Sequence, residues 1–196
     1  PVETWQTNVI GTVNILESLR ILKNKCIGII ITSDKCYENQ EWEWGYREND
    51  KLGGSDPYSG SKGCAELAFN SYYKSFFSDS SVNNIRIASA RAGNVIGGGD
   101  WAQNRIIPDC IKAWSQKMTV NIKSPESTRP FQHVLEPLSG YLSLAQQLTC
   151  NPNLSGESFN FGPSSNSNYK VIDVVKELSK NWEESDWEIQ LDKNNF

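Results

Sequence analysis

Three short apolar runs organise the chain: CIGIII (26–31), IRIASAR (85–91) and ESFNFG (157–162). Each reads as a strand of the buried type, and CIGIII has the unbroken apolar character of a parallel strand covered on both faces. Longer segments at helical spacing lie between and around them. Residues 3–22 carry Trp5, Val9, Val13, Leu16 and Leu19 on one helical period. Further helices are predicted over 58–77, 105–117, 134–148 and 171–182, and TVNI (119–122) reads as one more short strand. The segments 33–56, GNVIGGGDW (93–101) and STRPFQH (127–133) read as loops or irregular chain. Gly53-Gly54 and Asp56-Pro57 are the breakers before the second helix. Strands alternating with helices predict an α/β fold with a mainly parallel sheet. In such sheets ligands gather beyond the carboxyl ends of the strands. Polar clusters stand at all three ends: Ser33-Asp34-Lys35, Arg91 to Asn94, and Gly162-Pro163.

Composition removes several kinds of chemistry. The 196 residues are 38% hydrophobic and 21% charged, ordinary for a globular protein. A net charge of −4 gives no general attraction to nucleic acid or anionic membrane. The aromatic loop after the first strand is itself acidic (Glu38, Glu41, Glu43, Glu48, Asp50), unlike a stacking surface for single-stranded nucleic acid. No apolar run approaches the length of a membrane span, and PVETWQTNV is neither basic nor apolar enough for a signal peptide. Five scattered cysteines without a C-x-x-C pair fit reduced thiols and a cytoplasmic location. His133 is the single histidine, which excludes sites needing two, and no metal site is expected. Acid–base work therefore falls to Tyr, Lys, Asp or Glu.

Tyr58-x-x-x-Lys62 opens the second helix. Residues four apart share a helical face, so the amine lies near the phenol. A phenol is a weak base at neutral pH, and a neighbouring cation stabilises the phenolate. The pair suits an alcohol–ketone interconversion. The same spacing also occurs in any amphipathic helix with an exposed Tyr and Lys. Asp34 and Lys35 equally fit an exposed pair at a strand end.

The order of these pieces resembles the extended short-chain dehydrogenase/reductase superfamily. TSDKCYENQEWEWGYREND, DPYSGSKGCAEL, RIASARAGNVIGGGDW, RIIPD and TRPFQHVLEPLSGYL together resemble its nucleotide-sugar 4,6-dehydratases, the CDP-glucose branch most of all. The likeness covers about residues 1–160 and thins beyond 165. It implies an NAD cofactor and a Rossmann-like sheet, of which this chain holds the C-terminal part, with a smaller mixed α/β substrate-binding region. It implies catalytic roles for Ser33, Asp34, Lys35, Tyr58 and Lys62. Tyr58, Lys62, Arg91 and Ala92 would contact the cofactor, and Asn94, Arg105, Arg129 and His133 the substrate. Tyr58 would take the C4 hydroxyl proton, with Ser33 orienting that oxygen and Asp34 protonating the departing C6 hydroxyl. Lys35 replaces the Glu of related dehydratases. It is either a neutral base at C5 or a charged group stabilising the enolate. Trp42, Trp44 and Trp101 lie in loops near the expected site, suited to stacking on a base or to ordinary packing.

The superfamily's G-x-x-G-x-x-G fingerprint is absent. GNVIGGGDW is no substitute, because no helix follows it at once and no acidic ribose partner stands about twenty residues on. The chain therefore reads as a central piece of a longer enzyme, inactive alone. Residues 1–93 would form a partial NAD-binding region with the catalytic residues. Residues 94–196 would be mainly substrate-binding, with 157–162 returning to the sheet. Resemblance further implies a homodimer through helices 3–22 and 58–77, and a role in carbohydrate biosynthesis such as that of lipopolysaccharide O-antigen. A nucleotide-sugar 4-epimerase or another nucleotide-sugar 4,6-dehydratase of the same superfamily, and a non-catalytic Rossmann-like interaction protein, are the competing readings.

Overall fold

The computed structural model describes residues 1–79, 84–164, 167 and 169–190. In chain order the first elements are α1 (Val2–Trp5), continued through a π turn (Gln6–Ile10) into α2 (Gly11–Ile21), then β1 (Cys26–Ile31). A single 3₁₀ turn, Asp34–Cys36, comes after it, then α3 (Pro57–Tyr72), extended by a π turn over Tyr73–Phe77. Next come β2 (Ile85–Ala92), β3 (Val95–Ile96), α4 (Ile106–Ser115), β4 (Val120–Ile122), β5 (Thr128–Arg129) and β6 (Gln132–His133). The last elements are α5 (Leu135–Cys150), β7 (Ser158–Phe161), β8 (Tyr169–Lys170), α6 (Val171–Ser179) and β9 (Trp187–Ile189).

The chain divides into two compact units, Pro1–Gly93 with Leu135–Gly162, and Asn94–Val134 with Pro163–Phe196. The sequence groups helix 134–148 with the second region; in the structure α5 packs on β1, β2 and β7 of the first unit.

The first unit is a parallel sheet in the order β1-β2-β7 between two helical layers. Strand alternation sorts its side chains. Ile85 and Ile87 of β2 join Leu16, Phe69 and Phe77 in one apolar cluster under α2 and α3. Ala88, on the opposite face, joins Leu144 and Leu148 of α5, with Ile27, Ile29, Phe159 and Phe161 around them. Burial of these aliphatic and aromatic groups drives the layers together at roughly 25 cal/mol per Å².

The second unit has its own core of Cys110, Trp114, Val120, Ile122, Ile172 and Val175, joining α4, β4 and α6. Its strands pair in twos: β3 with β6 and β4 with β9, both parallel, and β5 with β8, antiparallel. The segments 93–101 and 127–133, which read as irregular, supply β3, β5 and β6. Among the described residues no helix is long and apolar enough to cross a membrane, and no His/Cys/Asp/Glu cluster could hold a metal ion.

A glycine in the first unit lets α3 come unusually near the end of β1. A Cβ on Gly63 would meet the Cys36 carbonyl oxygen at 3.2 Å and the Gly53 amide nitrogen at 3.3 Å. Its absence lets α3 sit directly against the turn that ends β1. Gly63→Val is expected to destabilise the protein by about 1–3 kcal/mol through overpacking, read as a lowered urea midpoint at unchanged slope.

Candidate active site

The site is built at the carboxyl end of the first unit's sheet. Beyond β1 the chain turns sharply. Ser33, extended (φ −169°), caps the Asp34–Cys36 turn, its oxygen accepting the Lys35 amide N–H at 3.2 Å. The Ser33 hydroxyl donates to the Asp34 carboxylate at 3.1 Å. Ser33 is buried, Asp34 half-buried and Lys35 exposed, so the turn presents its polar groups in graded depth.

Against this turn stands the start of α3. Asp56 is its N-cap, accepting the N–H groups of Tyr58 (2.9 Å) and Ser59 (3.1 Å), with Pro57 in the first turn. Such a cap contributes about 1 kcal/mol. The Ser59 hydroxyl and amide, helped by Tyr58's amide and the Lys35 charge, hold the Asp56 carboxyl below its ordinary range. Tyr58 is 44% exposed, open to a substrate. The Lys62 ammonium lies 5.9 Å from the Tyr58 ring centroid, one turn along. Partial burial lowers the Lys62 pKa, opposed by Cys36 where it is a thiolate and by the negative charge of Glu66. The Asp34–Cys36 turn, capped by Ser33, thus packs on α3, the helix that carries Tyr58 and Lys62.

Beneath the junction lies a buried ion pair that the motif pattern does not reveal. Arg91 meets Glu66 at 2.7 Å, the side chains 2% and 0% exposed. Thr32 and Ser89 donate hydroxyls to the same carboxylate. Burial alone would raise the Glu66 pKa; Arg91, Thr32 and Ser89 overturn that and hold it below its ordinary value. Arg91 also donates to the Tyr37 hydroxyl (2.7 Å) and the Glu48 carbonyl (2.8 Å). Tyr37 in turn donates to Asn160 at 2.7 Å. Read from sequence as a cofactor contact, Arg91 has its guanidinium committed inside the protein. Only the backbone of Arg91 and the half-buried Ala92 remain available at that strand end. Burial pushes the Cys36 thiol up to about 12, so it is no nucleophile.

Within the second unit, Asn94 and Arg105 line a cleft of about 210 Å³ with Trp101, Phe131 and the backbone of Gly97 to Gly99. Arg105 is exposed at the N-cap position of α4. Arg129 and His133 do not line this cleft. Arg129 is half-buried on β5 and donates to its neighbour's carbonyl, Thr128, at 2.7 Å. His133 is exposed on β6. Trp42 stacks at a tilt on Tyr46, 5.3 Å between centroids, while Trp44 is 76% exposed. Of the residues missed in the sequence, Glu66 had a visible signal: a carboxylate on the helix face shared with Gly63 and Phe69, which the fold buries.

The family model described as GDP-mannose 4,6 dehydratase matches residues 1–195. The chain belongs to the GDP-mannose 4,6 dehydratase family. A CDP-glucose 4,6-dehydratase of Salmonella typhimurium is 47% identical over 190 residues, covering 95% of this chain and 53% of that protein. A UDP-glucose 4-epimerase of Mycoplasma pneumoniae is 26% identical, covering 91% of this chain and 55% of that protein. The chain spans about half the length of these curated relatives. Among solved structures, a UDP-glucuronic acid 4-epimerase from Bacillus cereus, in complex with UDP-glucuronic acid and NAD, superposes with TM-score 0.78 at 20% identity. That match covers 95% of this chain and 55% of the other. A dTDP-glucose 4,6-dehydratase from Bacillus anthracis, in complex with NAD, gives 0.74 at 21%, covering 97% and 57%. At such identities the structural likeness speaks for the fold alone, and that fold is the Rossmann-like one expected of the GDP-mannose 4,6 dehydratase family.

The buried pair makes a pH prediction. Because the folded-state pKa of Glu66 is lowered, its contribution is fully present above the unfolded value near 4.5 and lost as pH falls through the folded value. Glu66→Gln leaves the Arg91 guanidinium buried without its counter-charge, which costs about 3–5 kcal/mol at pH 7. Denaturant titrations at a series of pH values should show the gap between the two proteins narrowing as pH falls from about 4.5 through the lowered folded-state value, where the wild-type carboxyl also becomes neutral.

Proposed function

We propose that this chain is the catalytic portion of an NAD-dependent nucleotide-sugar 4,6-dehydratase whose substrate is CDP-glucose. The observation that carries the reading is the junction where the Ser33–Lys35 turn packs on the helix bearing Tyr58 and Lys62. The 47% identity to a CDP-glucose 4,6-dehydratase supports the choice of substrate.

The residues divide the work. Tyr58, exposed at the helix start, takes the C4 hydroxyl proton, and Lys62 supplies the positive potential that favours its phenolate. Ser33 orients the same oxygen. NAD, when bound, supplies the chemistry of hydride removal from C4 and its return to C6. Tyr58 and Lys62 would hold its ribose hydroxyls, a donor set that fits a diol, and the backbone at Arg91–Ala92 would flank it. Asp34, linked to Ser33, delivers a proton to the C6 oxygen as water departs. The C5 proton passes to a base: Lys35, exposed beside the Asp56 carboxylate, takes it as a neutral amine, or another base takes it while Lys35 as a cation stabilises the enolate. Asn94 and Arg105, in their cleft, and Arg129 and His133 nearby in sequence, are assigned to the sugar nucleotide; Arg105 offers a planar fork to a phosphate.

The partner is a second copy. Ile15 and Leu67 are 55% and 57% exposed on α2 and α3, with Val2, Ile10 and Phe76 exposed on the same helical layer. Apolar faces of this kind mark interaction surfaces. Ile15→Asp with Leu67→Asp should convert a dimer to a monomer in sedimentation velocity.

The decisive assay gives full-length protein CDP-glucose and NAD⁺; absence of a 4-keto-6-deoxy product sinks the reading. Tyr58→Phe should lower kcat on the order of 10²- to 10⁴-fold. Asp34→Asn separates dehydratase from 4-epimerase, since epimerisation needs no acid at C6. In a dehydratase the variant still oxidises C4 but loses elimination.

A further inference from the structure

We propose that Glu66 is a positioning residue whose carboxylate sets the spacing between Ser33, at the end of β1, and the Tyr58–Lys62 pair on α3. The proposal rests on the catalytic reading of those three residues given under Proposed function.

Glu66 lies one helical turn beyond Lys62, on the same face. Thr32, immediately before Ser33, donates its hydroxyl to one Glu66 oxygen. The other oxygen accepts from Arg91 at 2.7 Å and Ser89 at 2.8 Å, both on β2, and from Ser158 of β7 at 3.3 Å. A single carboxylate is thus bound by donors from the end of β1 and from both other strands of the sheet. Nothing about its burial is incidental: it is fully enclosed, and its charge is met by a guanidinium as enclosed as itself.

The other forces at this junction do not fix its register. The apolar cluster under α2 and α3 is non-directional, so it holds the helix down without setting where along the strand it stops. The missing Cβ of Gly63 permits a close approach but does not pin it. Charge-assisted hydrogen bonds are short and directional, and those to Glu66 are the ones joining α3 to the residue beside Ser33. Two groups that must act on one sugar oxygen from different elements need such a pin. A misplacement of about 1 Å can cost on the order of 10²-fold in rate.

Glu66→Gln strands a buried cation and risks misfolding, so the test uses Thr32. In full-length protein, Thr32→Val deletes the β1 donor and leaves the Glu66–Arg91 pair intact; Thr32→Ser keeps the donor. Thr32→Val should lower kcat for CDP-glucose about tenfold or more with KM within about twofold, and Thr32→Ser should restore the rate. Crystals of Thr32→Val should show the Ser33 Oγ to Tyr58 Oη distance changed by about 0.5 Å or more. Wild-type turnover and an unchanged distance in Thr32→Val would overturn the proposal, as would a Thr32→Ser protein as slow as Thr32→Val. If the wild type leaves CDP-glucose untouched, the dehydratase reading falls, and the crystallographic distance still decides whether Glu66 positions the junction.

Discussion

The ion pair between Glu66 and Arg91 is the interaction on which the first unit's polar interior depends. Placing two charges where water cannot reach them costs several kcal/mol per ion, and their attraction offsets that only when the remaining donors and acceptors are also met. Here nearly all are. Glu66 receives three hydroxyls besides the guanidinium, and Arg91 reaches Tyr37 and the Glu48 carbonyl. Tyr37 stacks on Tyr46 at 5.0 Å and lies 5.0 Å under the Arg91 guanidinium, so the loop beyond the turn is tied to the same pair. Hydrophobic residues of equal volume would fill the space at no smaller stability. They would not tie three strands, a helix and a loop to one point.

The position of that pair comes from a gradient along the strands. The face of β2 toward α3 runs Ile85, Ile87, Ser89, Arg91: apolar at the start, polar at the end. β1 does the same on that face, from Cys26 and Ile30 to Thr32. The opposite face, under α5, remains apolar through Ile29, Ala88, Phe159 and Phe161. That face supplies adhesion up to the carboxyl edge, with Arg86 at its other end donating to the Leu148 and Thr149 carbonyls. The other changes from adhesion to hydrogen bonding as it nears the carboxyl edge, where the dipoles and loops of an α/β sheet gather ligands. The candidate site is an extension of the sheet's own patterning.

That gradient accounts for which features were legible in the sequence and which were hidden. The long elements were legible because their periods are strong: β1, β2 and β7, the helix opened by Asp56-Pro57, and the Tyr58–Lys62 spacing within it. The two- and three-residue strands β3, β5, β6, β8 and β9 were not, since a ladder that short has no period and is defined only by its partner. Arg91 was only half legible for a related reason. At a strand end it resembles a ligand contact, and only its pairing with a residue 25 positions away shows its guanidinium to be interior. Glu66 looked like part of a motif's tail. Its meaning lies in Thr32, Ser89 and Ser158, three serine- or threonine-type residues that carry no signal singly.

The fold alone cannot choose between epimerisation and dehydration, since solved structures of both kinds superpose on this chain. The difference has to arise from groups added to a shared redox pair. Alcohol oxidation at C4 asks for a hydride acceptor, which NAD would supply, and for a base beside a cation, the roles proposed for Tyr58 and Lys62. Elimination asks for two further proton movements, at C5 and at the C6 oxygen, within reach of the same sugar. The Asp34–Cys36 turn is where such groups can be added without rebuilding the scaffold. It is three residues long, it hangs from Ser33, and α3 packs against it. Asp34 and Lys35 are also its outermost side chains, while Cys36 faces inward and is fully buried. In the proposed dehydratase, substitution there would change what meets the sugar and leave the Glu66 junction beneath untouched. The chemistry of the proposed dehydratase is then written in the turn, and its precision in the carboxylate below.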